Sequence, residues 1–298
     1  MRQWRNFYRD PKGSQADRKG HRSVGYQPLA RCHNRGIDTF VLPCRPDLNF
    51  ISSSASKKVC KLKGNTEAFV PLDVKQLMES RLNRQFRVGL TGTIASGKST
   101  IAHEIVRLGT RAGLQVHNID LDSMAHDILF NRAEPAYVNL RMKLQQIWGI
   151  LEWSRKTVGQ MVFTDSNARA LLDQEMQDPL RTRLRHDLAG KTGIVLLNGA
   201  LLVEAGWSKL VNNFFILLDV AEEDQMRRLL ARGHTAEQCR KRIGAQFSTS
   251  EKARRIKDSI AAGRYGDVFV CETRSGAEAT ASTILEKIQM WAKAAELA

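Results

Sequence analysis

One octapeptide restricts the possible folds of this chain more than any other feature. Gly92–Ser99, with the sequence GTIASGKS, fits the pattern G-x-x-x-x-G-K-[ST] of a phosphate-binding loop. The short apolar run at 87–91 predicts a buried strand, and residues 100–108 predict the start of a helix. The motif requires this order of strand, loop and helix. The sequence therefore predicts a polyphosphate site at the end of a strand in an α/β sheet.

The chemistry of the loop predicts the role of each part. Backbone N–H groups and the positive end of the following helix can surround a polyphosphate. Lys98 can reach the β- and γ-phosphates, and the Ser99 hydroxyl can bind Mg²⁺. We therefore expect ATP with Mg²⁺ at this loop. The expected ATP-binding residues of the loop are Gly92, Thr93, Ile94, Ala95, Ser96, Gly97, Lys98, Ser99 and Thr100.

Strand and helix patterns alternate from residue 86 onward, which predicts a parallel sheet flanked by helices. The expected strands are 86–91, 114–119, 193–199, 214–219 and 267–271. The stretch 121–190 is helical for too long to be one crossover, so it predicts a helical insert over the sheet edge, with one of its helices expected at 167–189. Residues 1–85 form a separate segment with a weak α/β pattern, which includes a strand expected at 39–42. The expected domains are therefore 1–85 and 86–298.

The 298-residue chain carries a net charge of +15, and the charge is uneven. Residues 1–85 hold 17 Lys and Arg against 7 Asp and Glu, whereas residues 86–298 hold 29 against 24. No nucleic-acid-binding motif accompanies this charge, which argues against a nucleic-acid partner. The five cysteines show no C-x-x-C pairing, and no apolar run is long enough to cross a bilayer. The sequence thus predicts a cytoplasmic protein without a membrane partner.

Two carboxylates end the second expected strand. Asp120 and Asp122 lie at the carboxyl end of that strand, which is where ligands bind in open α/β sheets. Their spacing predicts that one caps the next helix while the other, Asp122, accepts a proton from an acceptor hydroxyl or holds Mg²⁺ through water. The alternative is that both only cap the helix. The third strand carries Asn198 where an ATPase would have its Walker-B aspartate.

Two arginines follow the fourth expected strand. Arg228 and Arg232 are four residues apart and share one helix face. Guanidinium groups suit triphosphate oxygens, so the pair predicts a lid that closes over ATP. The alternative is a solvated basic helix, which suits Arg227 best.

These motifs, in this order, resemble the dephospho-CoA kinase family. The shared motifs are 88–92, 96–100, Ile119–Asp122, Leu201–Gly206, the helix with Gln225, Arg228 and Arg232, and Gln246. The resemblance covers about residues 86–275 and implies a P-loop kinase fold with a helical substrate-binding insert and a lid. It implies transfer of phosphate from ATP to the ribose 3′-hydroxyl of dephospho-CoA, which gives CoA.

The resemblance also implies individual roles. Asp122, Lys98 and Arg232 would be catalytic, and Arg228 would bind ATP. The residues implied for substrate binding are Thr91, Asp120, Arg155 and Glu204. The chain departs from the family pattern in several places: Thr93 and Ala95 replace glycines, Asp178 replaces histidine, and Ala200 replaces proline before Leu201–Leu202. The family's adenine-contacting element also has no clear match around Gly266–Asp267.

Residues 1–85 resemble part of the C-terminal half of phosphopantetheine adenylyltransferase, so the chain resembles a bifunctional CoA synthase. The segments that carry this resemblance are 19–22, 38–42, 50–54 and 69–71. The paired histidines of the H-x-G-H motif are absent, which argues against adenylyltransferase activity. A partner chain that completes this half is one expectation. Another is that residues 1–80 can be removed without loss of kinase activity.

Two other functions remain open at this stage. The chain could be a P-loop kinase for another nucleoside or nucleotide. It could also be a non-catalytic nucleotide-binding protein. A GTPase would show N-K-x-D and D-x-x-G motifs, and neither is present.

Overall fold

The computed structural model describes residues 51–273 and 276–297, and Ile51 begins a compact unit. The strand expected at 39–42 and most of the segment that resembles an adenylyltransferase lie outside the described residues. In the described part of the chain, none of the helices combines the length and apolarity needed to cross a membrane.

The centre of the unit is a sheet of five parallel strands in the order β2-β3-β1-β4-β5. The strands are β1 (Gln85–Gly92), β2 (Val116–Asp120), β3 (Gly193–Asn198), β4 (Phe214–Asp219) and β5 (Asp267–Glu272). Each lies within two residues of its expected position, which confirms the predicted sheet. The strand that leads into the phosphate-binding loop, β1, is central and buried along its whole length.

Twelve α-helices are described, and most lie on the two faces of this sheet. They are α1 (Ser53–Lys61), α2 (Leu72–Asn83), α3 (Lys98–Arg111), α4 (Leu121–His126), α5 (Pro135–Trp148), α6 (Arg155–Thr164), α7 (Ser166–Glu175), α8 (Gln177–Leu188), α9 (Glu222–Leu230), α10 (Ala236–Gly244), α11 (Thr249–Gly263) and α12 (Ala277–Leu297). A π-turn, Asp127–Asn131, extends α4, and a 3₁₀ helix, Ser208–Val211, precedes β4.

The core lies on both faces of the sheet because side chains alternate along each strand. In β4, Phe215 and Leu217 pack on the face covered by the helical insert and α11. Phe214, Ile216 and Leu218 pack on the opposite face, against α3 and α12. Apolar side chains fill both faces of the sheet. Polar chemistry is therefore expected at the carboxyl ends of the strands.

Helices α4 to α8 form the insert expected at 121–190. The sequence predicted one helix over 167–189, whereas the structure ends α7 at Glu175 and begins α8 at Gln177. Pro179 explains the break, because it has no N–H to bond the carbonyl of Glu175 in a continuous helix.

A buried cluster of charges joins α2 to the sheet. Glu79 Oε1 lies 2.8 Å from the Arg87 guanidinium of β1 and 3.0 Å from Lys75 Nζ. The Asn212 amide lies between them, donating to Glu79 Oε2 (2.7 Å) and accepting from Lys75 Nζ (2.7 Å). All four side chains are buried. The domain boundary expected at 85/86 therefore falls inside the compact unit and stays a prediction.

Candidate active site

The phosphate-binding loop has a conformation that small residues make possible. Gly92 comes so close to strand β4 that a Cβ there would lie 2.7 Å from the Leu218 carbonyl oxygen. Ala95 and Gly97 have left-handed φ angles of +61° and +89°. For alanine this conformation costs about 1–2 kcal/mol. The buried hydroxyls of Thr93 and Ser96 have no hydrogen-bond partner among the described residues, as expected for a loop shaped around a polar ligand.

Lys98 begins helix α3 and turns back over the loop. Its ammonium donates to the carbonyls of Thr93 (2.9 Å) and Gly92 (3.2 Å). Burial lowers the pKa of Lys98 to about 8, against the opposing effect of the Asp122 carboxylate. Ser99 and Thr100 are exposed at the mouth of the loop. The predicted loop therefore forms, with its lysine inside and the Ser99 hydroxyl accessible.

The two carboxylates after β2 have different partners. Asp120 caps helix α4, accepting from the Ser123 N–H at 2.9 Å. Asp122 instead accepts from the Ala200 N–H at 3.0 Å. Asp122 is an exposed residue, yet loss of solvation around its carboxyl raises the pKa of that group. Of the two carboxylates, Asp120 therefore caps the helix, whereas Asp122 contacts the turn after β3.

Ala200 connects several of the predicted site residues. Its N–H binds Asp122, and its carbonyl accepts from the Thr91 hydroxyl (3.4 Å) and the Lys252 ammonium (2.7 Å). Lys252 also pairs with Glu204 at 2.5 Å. A proline at position 200, as the family resemblance leads one to expect, would have no N–H for Asp122.

Glu204 faces this cluster from the turn after β3. Its Oε1 accepts from Lys252 and from the Phe247 N–H (3.3 Å), while its buried Oε2 has no partner in the described part of the chain. Sequence reasoning missed Lys252. Its only sequence signal is an amphipathic helix in which lysine falls on the buried face.

Arg228 lies against the phosphate-binding loop. Its Nη1 donates to the Ala95 carbonyl at 2.9 Å, so helix α9 is attached to the loop as the lid prediction requires. Arg232 is exposed in the turn after α9, and Arg155 is exposed at the first position of α6. Neither side chain makes a hydrogen bond or ion pair with another described residue. The structure brings Arg228 to the site but does not bring Arg155 or Arg232 into contact with it.

A cavity of about 300 Å³ opens beside Arg228. Its walls include Asp219 and Val220 at the end of β4 and Thr273 after β5. Asp267 lies in the region compared with the family's adenine-contacting element. It begins β5, at the end of the strand opposite the cavity, and pairs with Lys287 (3.2 Å). The end of β5, rather than its start, therefore lines the cavity.

A second cavity, of about 240 Å³, lies between the end of β2 and the helical insert. Its lining combines three carboxylates with three cations: Asp120, Asp127, Asp187, Arg132, Arg183 and Lys191. Arg183 pairs with Asp187 at 3.1 Å and Arg132 pairs with Glu134 at 3.3 Å, whereas Lys191 has no ion pair among the described residues.

A phosphate-binding loop at the end of a central parallel strand, with a carboxylate within electrostatic reach of its lysine, defines a P-loop kinase. The family model for dephospho-CoA kinase matches residues 86–264. A dephospho-CoA kinase from Parasynechococcus marenigrum is 30% identical over 203 residues, which is 67% of this chain and 99% of that protein. One from Geobacter sulfurreducens is 32% identical over 178 residues, 56% of this chain and 85% of that protein. The chain belongs to the dephospho-CoA kinase family.

Among solved structures, the dephospho-CoA kinase from Campylobacter jejuni is 19% identical to this chain. The match covers 70% of this chain and 98% of that one, with a TM-score of 0.41.

Proposed function

We propose that this chain phosphorylates the ribose 3′-hydroxyl of dephospho-CoA with ATP, giving CoA and ADP. The observation that carries the proposal is the placement of Asp122 at the same edge of the sheet as Lys98 of the phosphate-binding loop, within electrostatic reach of it. Each of these groups shifts the pKa of the other. Membership of the dephospho-CoA kinase family supports the choice of acceptor.

ATP would bind with its phosphates in the loop Gly92–Ser99 and its adenosine in the 300 Å³ cavity beside Arg228. The left-handed residues of the loop turn backbone N–H groups toward a bound anion, and the N-terminus of α3 adds partial positive charge. Lys98 would leave the carbonyls of Gly92 and Thr93 and bind the β- and γ-phosphates, which offer it charged acceptors instead of neutral ones.

Asp122 would accept the proton of the 3′-hydroxyl as its oxygen attacks the γ-phosphorus. The new oxygen–phosphorus bond forms while the bond from the γ-phosphorus to the β,γ-bridging oxygen breaks, and ADP leaves. The raised pKa of Asp122 makes the carboxylate a stronger base than an ordinary aspartate. Its exposure leaves room for the acceptor to approach.

Mg²⁺ would enter with ATP. The Ser99 hydroxyl and the carboxylates of Asp120 and Asp122 are hard oxygen donors of the kind that Mg²⁺ prefers, so the residues present fit this ion. Bound there, the ion would neutralise charge on the phosphates.

Other residues would bind the acceptor. Thr91 and Glu204 lie around Ala200, next to the proposed base. The 240 Å³ cavity beside Asp120 would take part of dephospho-CoA, with Lys191 as a cation for its diphosphate. Arg155 and Arg232 are exposed and do not contact the site. They would therefore reach the substrates only after the insert and the lid move.

For residues 1–85 we propose a partial adenylyltransferase-like segment without adenylyltransferase activity. Ser52, expected near a phosphate in that resemblance, instead caps α1 by accepting from the Ala55 N–H at 3.1 Å. The absence of an H-x-G-H motif supports the lack of activity. Formation of dephospho-CoA from 4′-phosphopantetheine and ATP by the purified chain would contradict it. A partner chain for this half and a cytoplasmic location stay predictions.

A coupled assay of ADP release tests the kinase proposal. Dephospho-CoA, AMP, adenosine and pantothenate are offered in parallel, with ATP and Mg²⁺. We expect ADP and CoA only with dephospho-CoA, and a fall of about 10²–10⁴-fold in kcat for Asp122→Asn with ATP binding retained. ADP release with AMP or adenosine but not with dephospho-CoA would instead favour a nucleotide or nucleoside kinase.

A further inference from the structure

Lys252 is a lysine that the protein covers completely. It lies in the first turns of α11, and its side chain has no exposed surface. Its ammonium donates to the Ala200 carbonyl oxygen at 2.7 Å and to Glu204 Oε1 at 2.5 Å. Burial lowers the pKa of Lys252, and the Glu204 carboxylate opposes this effect. A side chain without exposed surface cannot touch a substrate, so any role in the reaction must act through these two partners.

Both partners belong to the proposed acceptor site. The backbone of Ala200 is held at three points: its N–H by Asp122, and its carbonyl by Lys252 and Thr91. Glu204 is held by Lys252 and by the Phe247 N–H just before α11. Lys252 therefore joins α11 to the segment that orients Asp122.

The energetics argue against a purely structural lysine. A buried ion pair is often no more stable than apolar residues of similar volume. Moreover, both partners of Lys252 lie in the acceptor site, and the positive charge of its ammonium acts to lower the pKa of Asp122. Loss of the ammonium would free the Ala200 carbonyl and leave Glu204 without its cation.

We propose that Lys252 is a positioning residue for phosphoryl transfer, which fixes the Ala200 backbone and the Glu204 carboxylate so that Asp122 is aligned with the acceptor hydroxyl. This inference rests on the proposed kinase function and deepens it. The hydrogen bonds of Lys252 go to Ala200 and Glu204, and the phosphate-binding loop feels only its charge, through Lys98. Its loss is therefore expected to lower turnover and to leave the KM for ATP little changed.

The test compares two buried lysines in the full-length chain. Lys252→Met keeps the length of the side chain and removes its donors. Lys75→Met makes the same change in the cluster of α2, at the amino ends of β1 and β4. Titration with a fluorescent ATP analogue counts the binding-competent molecules in each preparation, and kcat and both KM values are expressed per competent molecule. This normalisation separates a folding defect from a catalytic one.

We expect Lys252→Met to lower kcat about 10²-fold, the scale of a small misplacement of reacting groups, with the KM for ATP unchanged. Lys75→Met should keep kcat per competent molecule within about twofold. If Lys252→Met yields no competent molecules, Glu204→Gln is tested in its place. Glutamine keeps the shape of the glutamate side chain and removes the ion pair with Lys252. The kcat of this variant should then fall about 10-fold, a smaller effect because Ala200 keeps its bond to Lys252.

Two results would overturn the inference. One is a kcat per competent molecule within threefold of wild type in Lys252→Met, or in Glu204→Gln where that variant carries the test. The other is an equal fall in kcat in Lys75→Met. The wild-type reaction keeps the two proposals distinct: absence of CoA formation by the wild type would refute the kinase proposal itself and with it this inference.

Discussion

Asp120 and Asp122 show how two identical side chains acquire different roles from their position in a turn. Asp120 ends the strand and caps α4, so its carboxylate is held by a backbone N–H of its own helix. Asp122 is the second residue of α4, and its carboxylate accepts from the Ala200 N–H. Desolvation raises the pKa of Asp122 most, and the charge of Asp120 raises it further, while the Ala200 N–H and Lys98 oppose the rise.

The fall of kcat on the acid side of its pH profile should report the effect of Asp120 on the pKa of Asp122. Because the base must be deprotonated, kcat is expected to fall as the pH drops through the raised pKa of Asp122. Asp120→Asn removes one charge that raises this pKa, so the acid limb should move to lower pH. Asparagine still caps a helix well, so the fold should be retained. Asp165→Asn is the matched control, since Asp165 caps α7 in the same way; an equal shift in both variants would contradict the assignment.

Lys98 should take up a proton when ATP binds. With a pKa of about 8, roughly half of the ligand-free molecules carry a neutral Lys98 at pH 8. Bound phosphates favour the charged form and raise the pKa. Calorimetry in buffers of different ionisation enthalpy should therefore show proton uptake at about pH 8 that fades toward pH 6.5. Lys98→Arg, which is charged at every pH in this range, should bind ATP without that uptake; persistence of the uptake would assign it to another group.

At the scale of elements, the phosphate-binding loop packs against α9 and α10, the helices expected to form the lid, here called the lid helices. Ala95 is buried against Leu229 of α9 and Cys239 of α10. The methyl group that makes the left-handed conformation of Ala95 costly thus gains apolar contact, and Arg228 holds the carbonyl of the same residue. The departure from glycine at this position is therefore compensated locally by the lid helices.

Arg228→Met should weaken ATP binding more than it affects the acceptor. The change removes the hydrogen bond to Ala95 and one cation beside the phosphates, and a charged hydrogen bond contributes about 1.5–3 kcal/mol. We therefore expect the Kd for ATP to rise by at least about 10-fold and the KM for dephospho-CoA to change little. Arg240→Met is the control, since Arg240 is exposed on α10. An unchanged Kd in Arg228→Met would show that the arginine only supports the loop in the absence of ATP.

The sequence predicts the elements of this fold well because their patterns are local. Strand β1, the loop and α3 follow from one motif, and the end of β2 follows from its carboxylates. The break between α7 and α8 was missed because Pro179 is tolerated in the first turn of a helix, and the apolar pattern does not show that a new helix begins there. Lys252 and the contacts of Asn212 with α2 were missed for a different reason: the partners are 48 to 137 residues apart in the chain, and no local pattern reports such contacts.

At the scale of the whole molecule, α2 connects residues before the kinase motif to the sheet that carries it. The family model begins at residue 86, yet Glu79, from the helix before it, supplies the carboxylate that pairs with Arg87 in β1 and with Lys75. Burial alone would raise the pKa of Glu79, but Arg87 and Lys75 reverse this effect and lower it. The expectation that residues 1–80 can be removed without loss of kinase activity takes no account of this cluster. A chain that begins at Ile51 keeps it.

Loss of Glu79 should therefore destabilise the kinase core. Glu79→Ala leaves Arg87 buried and unpaired at 4% exposure, and breaking such a pair typically costs about 3–5 kcal/mol. Denaturant unfolding of the full chain measures this loss. Glu237→Ala, which breaks an exposed ion pair with Lys241, should leave the unfolding free energy nearly unchanged. By the same reasoning, a chain that begins at residue 86 should yield little folded protein, while one that begins at Ile51 should fold and bind ATP. Equal stability and ATP affinity in these two truncated chains would show that α2 is dispensable and that the domain boundary lies at residue 85, as the sequence alone indicated.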